Sequence, residues 1–112
     1  MSDNTIMNSG NNATISQPAS IQIIKVTVSD RGGLSLRVAV ELAKRMRQFK
    51  SVIRVRMGNA LGSAMVNGKD VMQLLLLEAP FNTTLFFESY GSDAKQSKKS
   101  INTFFINTIK FN

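Results

Sequence analysis

Ser35 and Arg37 are the side chains whose type and spacing point most directly to chemistry. They follow Gly32-Gly33-Leu34 and open a stretch that reads as an amphipathic helix. A helix N-terminus presents unpaired amides and partial positive charge, and the two together attract anions. The same field disfavours an arginine, which raises the question of what Arg37 gains there. A guanidinium beside free amides would make an anion site of Ser35, Leu36 and Arg37. Ser35 has two readings. As an N-cap, its hydroxyl accepts from an orphan amide and contributes about 1 kcal/mol. As a reactive group, it binds an anion or takes a phosphoryl group as a stable ester. Arg37, with Arg31 upstream, is either a solvated cation or a contact for an anion or an acidic partner.

Other chemistry is excluded by composition. The chain has no histidine and no cysteine. That removes the commonest general base, the thiolate nucleophile, the usual metal ligands and any phosphohistidine. The carboxylates are scattered and assemble no catalytic constellation, so the expectation is no enzyme, no metal and no cofactor. The 112 residues carry a formal net charge of +7, which points to acidic partners: a protein face, nucleic acid or an anionic membrane. The longest apolar run, Leu74 to Leu77, is too short to span a bilayer. No basic segment followed by an apolar one opens the chain, so a soluble cytoplasmic protein without a membrane partner is expected.

The elements that must position Ser35 and Arg37 follow from periodicity. Residues 1–20, rich in Asn, Ser and Thr, read as a disordered tail, leaving one domain over 21–112. Ile24, Val26 and Val28 alternate with Lys25 and Thr27, which predicts a half-buried strand over Ile21 to Val28. Asp30-Arg31-Gly32-Gly33 breaks it. Ala39, Leu42, Ala43 and Met46 form the apolar stripe of a helix from Leu36 to Phe49. Ile53, Val55 and Met57 alternate with Arg54 and Arg56 in a second strand, Val52 to Met57. Gly58 to Gly62 reads as a hairpin loop and Ser63 to Val66 as a short third strand. Asn67 is placed as N-cap of a helix over Lys69 to Glu78, with Asp70 at its third position. A fourth strand is predicted over Thr83 to Ser89. Ser92 then caps a third helix running to Thr108, with Ala94, Ile101, Phe104 and Phe105 inward. The order β-α-β-β-α-β-α, with short connections, implies an α+β two-layer open-faced sandwich: a four-stranded antiparallel sheet with three helices on one face. Its core should include Val26, Leu42, Met46, Val55, Leu74, Phe87 and Ile101.

From Ile21 to Ile106 this pattern resembles HPr, the histidine-containing phosphocarrier family of the phosphoenolpyruvate-dependent sugar phosphotransferase system. Gly33-Leu34-Ser35-Leu36-Arg37-Val38-Ala39 is similar to the family's Gly-Leu-His-x-Arg-Pro-Ala site. Asn67-Gly68-Lys69-Asp70-Val71-Met72 is similar to the segment around its regulatory serine, and Gly91-Ser92-Asp93 to the turn before its last helix. The resemblance puts Ser35 at the position of the phosphorylated histidine, Val38 at that of the proline and Asp70 at that of the regulatory serine. A serine phosphate is a stable ester, so this chain should not relay phosphate reversibly. A catabolite-repression relative in the family also lacks the histidine.

The resemblance implies a protein-binding or regulatory module of the phosphotransferase system. Its docking surface would draw on Arg37, Lys44, Arg45, Met72 and Leu75. The competing reading of Met72 and the Leu74 to Leu77 run is a short apolar helix packed on the sheet. Asp70 likewise has two readings, an acid favoured by the helix field or a fixed imitation of phosphoserine. Acidic protein partners, phosphotransferase components among them, and a monomeric chain are expected. The alternative is a small basic α+β nucleic-acid-binding domain, supported by Arg54, Arg56, Lys95, Lys98, Lys99 and Lys110. No aromatic RNA-binding motif or zinc-finger spacing accompanies these cations, so nucleic acid should bind at most weakly and without sequence preference.

Overall fold

A computed structural model describes residues 20–58 and 64–110. The expected tail therefore lies outside the described residues except for Ser20, and so does most of the expected 58–62 loop. The chain forms β1 (Ser20–Thr27), α1 (Leu36–Met46), β2 (Val52–Met57), β3 (Val66–Asn67), α2 (Val71–Leu76), β4 (Thr84–Gly91) and α3 (Ala94–Lys110). The strands lie in the order β1-β4-β2-β3, and every pair is antiparallel.

Alternation decides which face of the sheet is covered. Ile24 and Val26 of β1, Ile53 and Val55 of β2, and Leu85 and Phe87 of β4 are buried, while their neighbours Ile23, Lys25, Val52, Arg54 and Tyr90 face solvent. The three helices cover that buried face, giving the expected α+β open-faced sandwich. Leu42 and Met46 of α1, Leu74 of α2 and Ile101, Phe104 and Phe105 of α3 complete one core. Each such side chain contributes roughly 1.5–3 kcal/mol by leaving water. Phe105 meets Phe87 edge to face at 5.7 Å, joining α3 to the sheet's middle.

Element ends depart from the periodic reading for identifiable reasons. α1 stops at Met46, short of Phe49, because Arg47 caps it and the Phe49 amide donates to the Met46 carbonyl in a tighter turn at 3.1 Å. β3 spans Val66–Asn67 rather than Ser63 to Val66, pairing with Val55 and Arg54. β4 continues past Ser89 because Ser20 and Ile21 supply partners for Gly91 and Tyr90. Gly91 is required there: its φ is +148°, and a Cβ would stand 2.7 Å from the Ser51 hydroxyl oxygen. α2 begins at Val71 and ends at Leu76, so Asp70, not Asn67, is its N-cap. Asp93, not Ser92, immediately precedes α3, and its carbonyl accepts from the Ser97 amide at 3.0 Å.

Candidate functional site

The loop between β1 and α1 is built around Gly33. Its φ of +73° suits glycine, and a Cβ would lie 2.6 Å from the Ala79 carbonyl oxygen. The Leu34 amide donates to that same carbonyl at 2.8 Å, so the loop is fastened to the chain between α2 and β4. Leu34 itself is buried. Ser35 is thereby delivered to the start of α1 with extended backbone angles, φ −75° and ψ 174°.

Ser35 caps the helix. Its hydroxyl accepts from the Val38 amide at 3.4 Å, and its carbonyl accepts from Ala39 at 2.8 Å. The amides of Leu36 and Arg37 belong to the first turn and have no intrahelical acceptor. Ser35, Leu36 and Arg37 thus share one helix end. Val38 is buried and anchors that end in the core.

Arg37 has an anionic neighbour within the chain. Its Nη2 donates to Oδ2 of Asp30 at 2.6 Å, while Oδ1 of Asp30 accepts the Gly32 amide at 2.9 Å. The guanidinium side chain remains 67% exposed, so this pair contributes at most about 1 kcal/mol. The energetic weight is small, but the geometry matters. Asp30 engages one of the guanidinium nitrogens that could otherwise meet an external anion. Asp30 was absent from the sequence-derived site. The available signal was an acid seven residues upstream of a misplaced arginine, across a glycine turn.

α2 is fixed from below by a reciprocal set of bonds. Oδ1 of Asp70 accepts the Gln73 amide at 3.1 Å, and Oε1 of Gln73 accepts the Asn67 amide at 3.0 Å. Asn67 closes the turn by accepting the Lys69 amide at 2.9 Å. Two further bonds tie this corner to the turn after α1: Arg47 Nε donates to the Lys69 carbonyl at 2.9 Å, and Lys69 Nζ to the Phe49 carbonyl at 2.5 Å.

α1 and α2 pack on each other, and both expose large apolar side chains. Met72 and Leu76 keep 70% and 73% of their surface exposed, and Leu36 60%. Val40 is also exposed, one turn along α1 from Leu36. Arg37 and Lys44 are exposed cations of α1, and its C-cap Arg47 is exposed as well. Two residues expected on this surface from the sequence, Leu75 and Arg45, are only partly exposed. Leu75 is half-buried against the core, and Leu76 is the exposed leucine. Arg45 lies over the Phe104 ring at 5.5 Å, which turns it toward α3.

Among the described residues, no cluster of acidic side chains could hold a metal ion. None of the described helices is long and apolar enough to cross a membrane.

Residues 23–107 match the family model described as the PTS HPr component phosphorylation site. No curated protein matches the sequence. Among solved structures, the chain is similar to HPr-C-His from Thermoanaerobacter tengcongensis, with a TM-score of 0.71 and 19% identity over 80% of this chain and 96% of that one. It is similar to the phosphocarrier protein HPr of Bacillus anthracis at a TM-score of 0.69 and 21% identity, covering 77% and 98% of the two chains. The histidine-containing phosphocarrier protein of Mycoplasma matches at a TM-score of 0.70 and 25% identity, over 79% of this chain and 96% of its own.

Proposed function

The chain belongs to the HPr family, and from that premise we propose that it is a protein-binding or regulatory module of the phosphotransferase system rather than a phosphoryl carrier. The observation that carries this is the absence of any imidazole in the whole sequence. Carrier chemistry needs a phosphoramidate that gives its phosphoryl group up easily. Ser35, at the family's histidine position, would form an ester whose onward transfer is strongly uphill. Its hydroxyl is also engaged in capping α1. The ion pair between Arg37 and Asp30 supports the same reading, since the guanidinium has an internal anion.

Binding is assigned to the surface of α1 and α2. Its exposed apolar side chains, Leu36, Val40, Met72 and Leu76, and the exposed cations Arg37, Lys44 and Arg47 suit an acidic protein partner with an apolar patch of its own. Phosphotransferase components are the partners this family membership favours. Asp70 is read as structural: its carboxylate caps α2. An anion, if one binds, is assigned to the amides of Leu36 and Arg37 beside Ser35.

The test is phosphorylation by phosphoenolpyruvate and the system's first enzyme. The unmutated chain should take no label. Ser35→His should label slowly but detectably, because the loop, the helix end and Arg37 are already in place. Acid-stable label on the unmutated chain would overturn the proposal. A folded Ser35→His variant that takes none would show that the docking surface no longer fits that enzyme.

A further inference from the structure

The helical layer accounts for one side of the molecule; the other side is the bare sheet. We propose that this open face is a second docking surface, for an acidic polypeptide segment that carries aliphatic or aromatic side chains. The inference goes beyond the proposed function and uses none of its residues.

Strand register brings the relevant side chains into rows. Tyr90 lies between Ile21 and Val52, Glu88 between Ile23 and Arg54, and Phe86 between Lys25 and Arg56. The first row is apolar and open to solvent. Ile21 is 62% exposed and Val52 and Tyr90 52% each, and Ile23 in the next row is 61% exposed. Four large apolar side chains exposed together at the end of one sheet exceed ordinary surface scatter. Three of them, Ile21, Val52 and Tyr90, line a shallow concavity of about 420 Å³ together with Arg54 and Glu88. The remaining rows supply Lys25, Arg54 and Arg56 against the single carboxylate of Glu88.

Charge complementarity selects the occupant. A second copy would bring three cations against three in a chain whose net charge is already +7. A nucleic-acid strand would need successive free rings for base stacking. Here the Arg56 guanidinium lies over the Phe86 ring at 4.7 Å, and the other aromatic, Tyr90, has aliphatic neighbours on both sides. Aliphatic side chains, one open tyrosine and flanking arginines match the make-up of a protein interface. This face and the α1–α2 surface lie on opposite layers, so both can be occupied at once.

The test starts from a random peptide library displayed on phage and selected against the full chain. Enriched peptides should combine Asp or Glu with aliphatic or aromatic residues. Bound to the full chain, they should shift the amides of Ile21, Ile23, Val52, Arg54 and Tyr90. Arg54→Glu should weaken binding roughly tenfold or more, while Lys98→Ala on α3 leaves it unchanged. Tyr90→Ser should weaken it similarly, and serves if Arg54→Glu beside Glu88 disturbs the sheet. Shifts confined to α1 and α2, or peptides without acidic residues, would overturn the proposal. So would displacement of the peptide by oligo(dT), self-association through this face in sedimentation, or nuclear Overhauser contacts between residues 1–19 and Tyr90 in the free chain.

Discussion

At the residue scale, Asp30 does more to define the site than Ser35 does. Arginine in the first turn of a helix opposes the helix field, and Asp30 offsets that at 2.6 Å while also receiving the Gly32 amide. The arrangement resembles an anion site closed from within. Freeing Arg37 should therefore help an incoming phosphoryl group. In the phosphoenolpyruvate assay, Ser35→His with Asp30→Asn should label severalfold faster than Ser35→His alone. The gain should be on the order of the ~1 kcal/mol that an exposed ion pair can hold. Equal initial rates in the two variants would mean that Arg37 takes no part in receiving the group. Asn at position 30 keeps an oxygen for the Gly32 amide, so the loop geometry is retained and the comparison isolates the charge.

At the element scale, Asp93 is the side chain that links distant pieces of the fold. Its carboxylate accepts the Lys50 amide at 2.8 Å, the Ser51 amide at 2.9 Å and the Ser51 hydroxyl. It thereby pins the start of α3 to the turn before β2. Burial pushes its pKa up, but the Ser51 hydroxyl and the Lys50 and Ser51 amides together outweigh that and leave it below its ordinary value. A depressed folded pKa stabilises the folded chain above the unfolded value of about 3.9, and that contribution is lost as pH falls through the folded pKa. Denaturation midpoints should therefore drop below about pH 4, and Asp93→Asn should flatten that limb. Asp93→Ala should cost roughly 1–3 kcal/mol at neutral pH, because the buried Ser51 hydroxyl and two amides lose their acceptor. A midpoint for Asp93→Ala equal to that of the unmutated chain would remove this role. Such a link was not legible in the sequence, since its partners lie 42 and 43 residues away. What was legible depended on strict local pattern. β2 fell at Val52–Met57 as expected because buried and exposed residues alternate cleanly there. The seven core residues named from the sequence are all buried: Val26, Val55 and Phe87 follow the strand alternation, and Leu42, Met46 and Ile101 the helical period. The start of α2 was misplaced because Asn67 and Asp70 are both good caps. The choice is settled by Gln73, whose amide donates to Asp70 while its side chain accepts from Asn67. In the same way, four consecutive leucines carry no internal sign that Leu76 faces out and Leu75 partly in.

At the scale of the whole molecule, the net charge of +7 matters less than where the cations sit. Arg54 and Arg56 lie on the open face of the sheet, on the side away from the helices. Lys95, Lys98 and Lys99 are exposed on α3, which packs on the covered face. A two-layer sandwich places these groups back to back, so one rigid polyanion cannot engage both sets. Affinity for nucleic acid grows with the number of phosphates contacted together, each adding to the salt dependence by slightly under one unit of log–log slope on a duplex. Splitting the cations therefore lowers both affinity and slope relative to what +7 on one face would give. Fluorescence anisotropy with single-stranded and duplex oligonucleotides of several sequences, at about 0.15 M salt, should show binding weaker than micromolar and no preference among sequences. Charge-reversing Arg54 and Arg56, or Lys98 and Lys99, should each remove only part of it. Sub-micromolar affinity for one sequence would mean that the two cationic sets act on one ligand, which the sandwich geometry does not allow for a rigid duplex. In that case a flexible single strand wrapping the sheet edge would have to replace the acidic polypeptide as occupant of the open face.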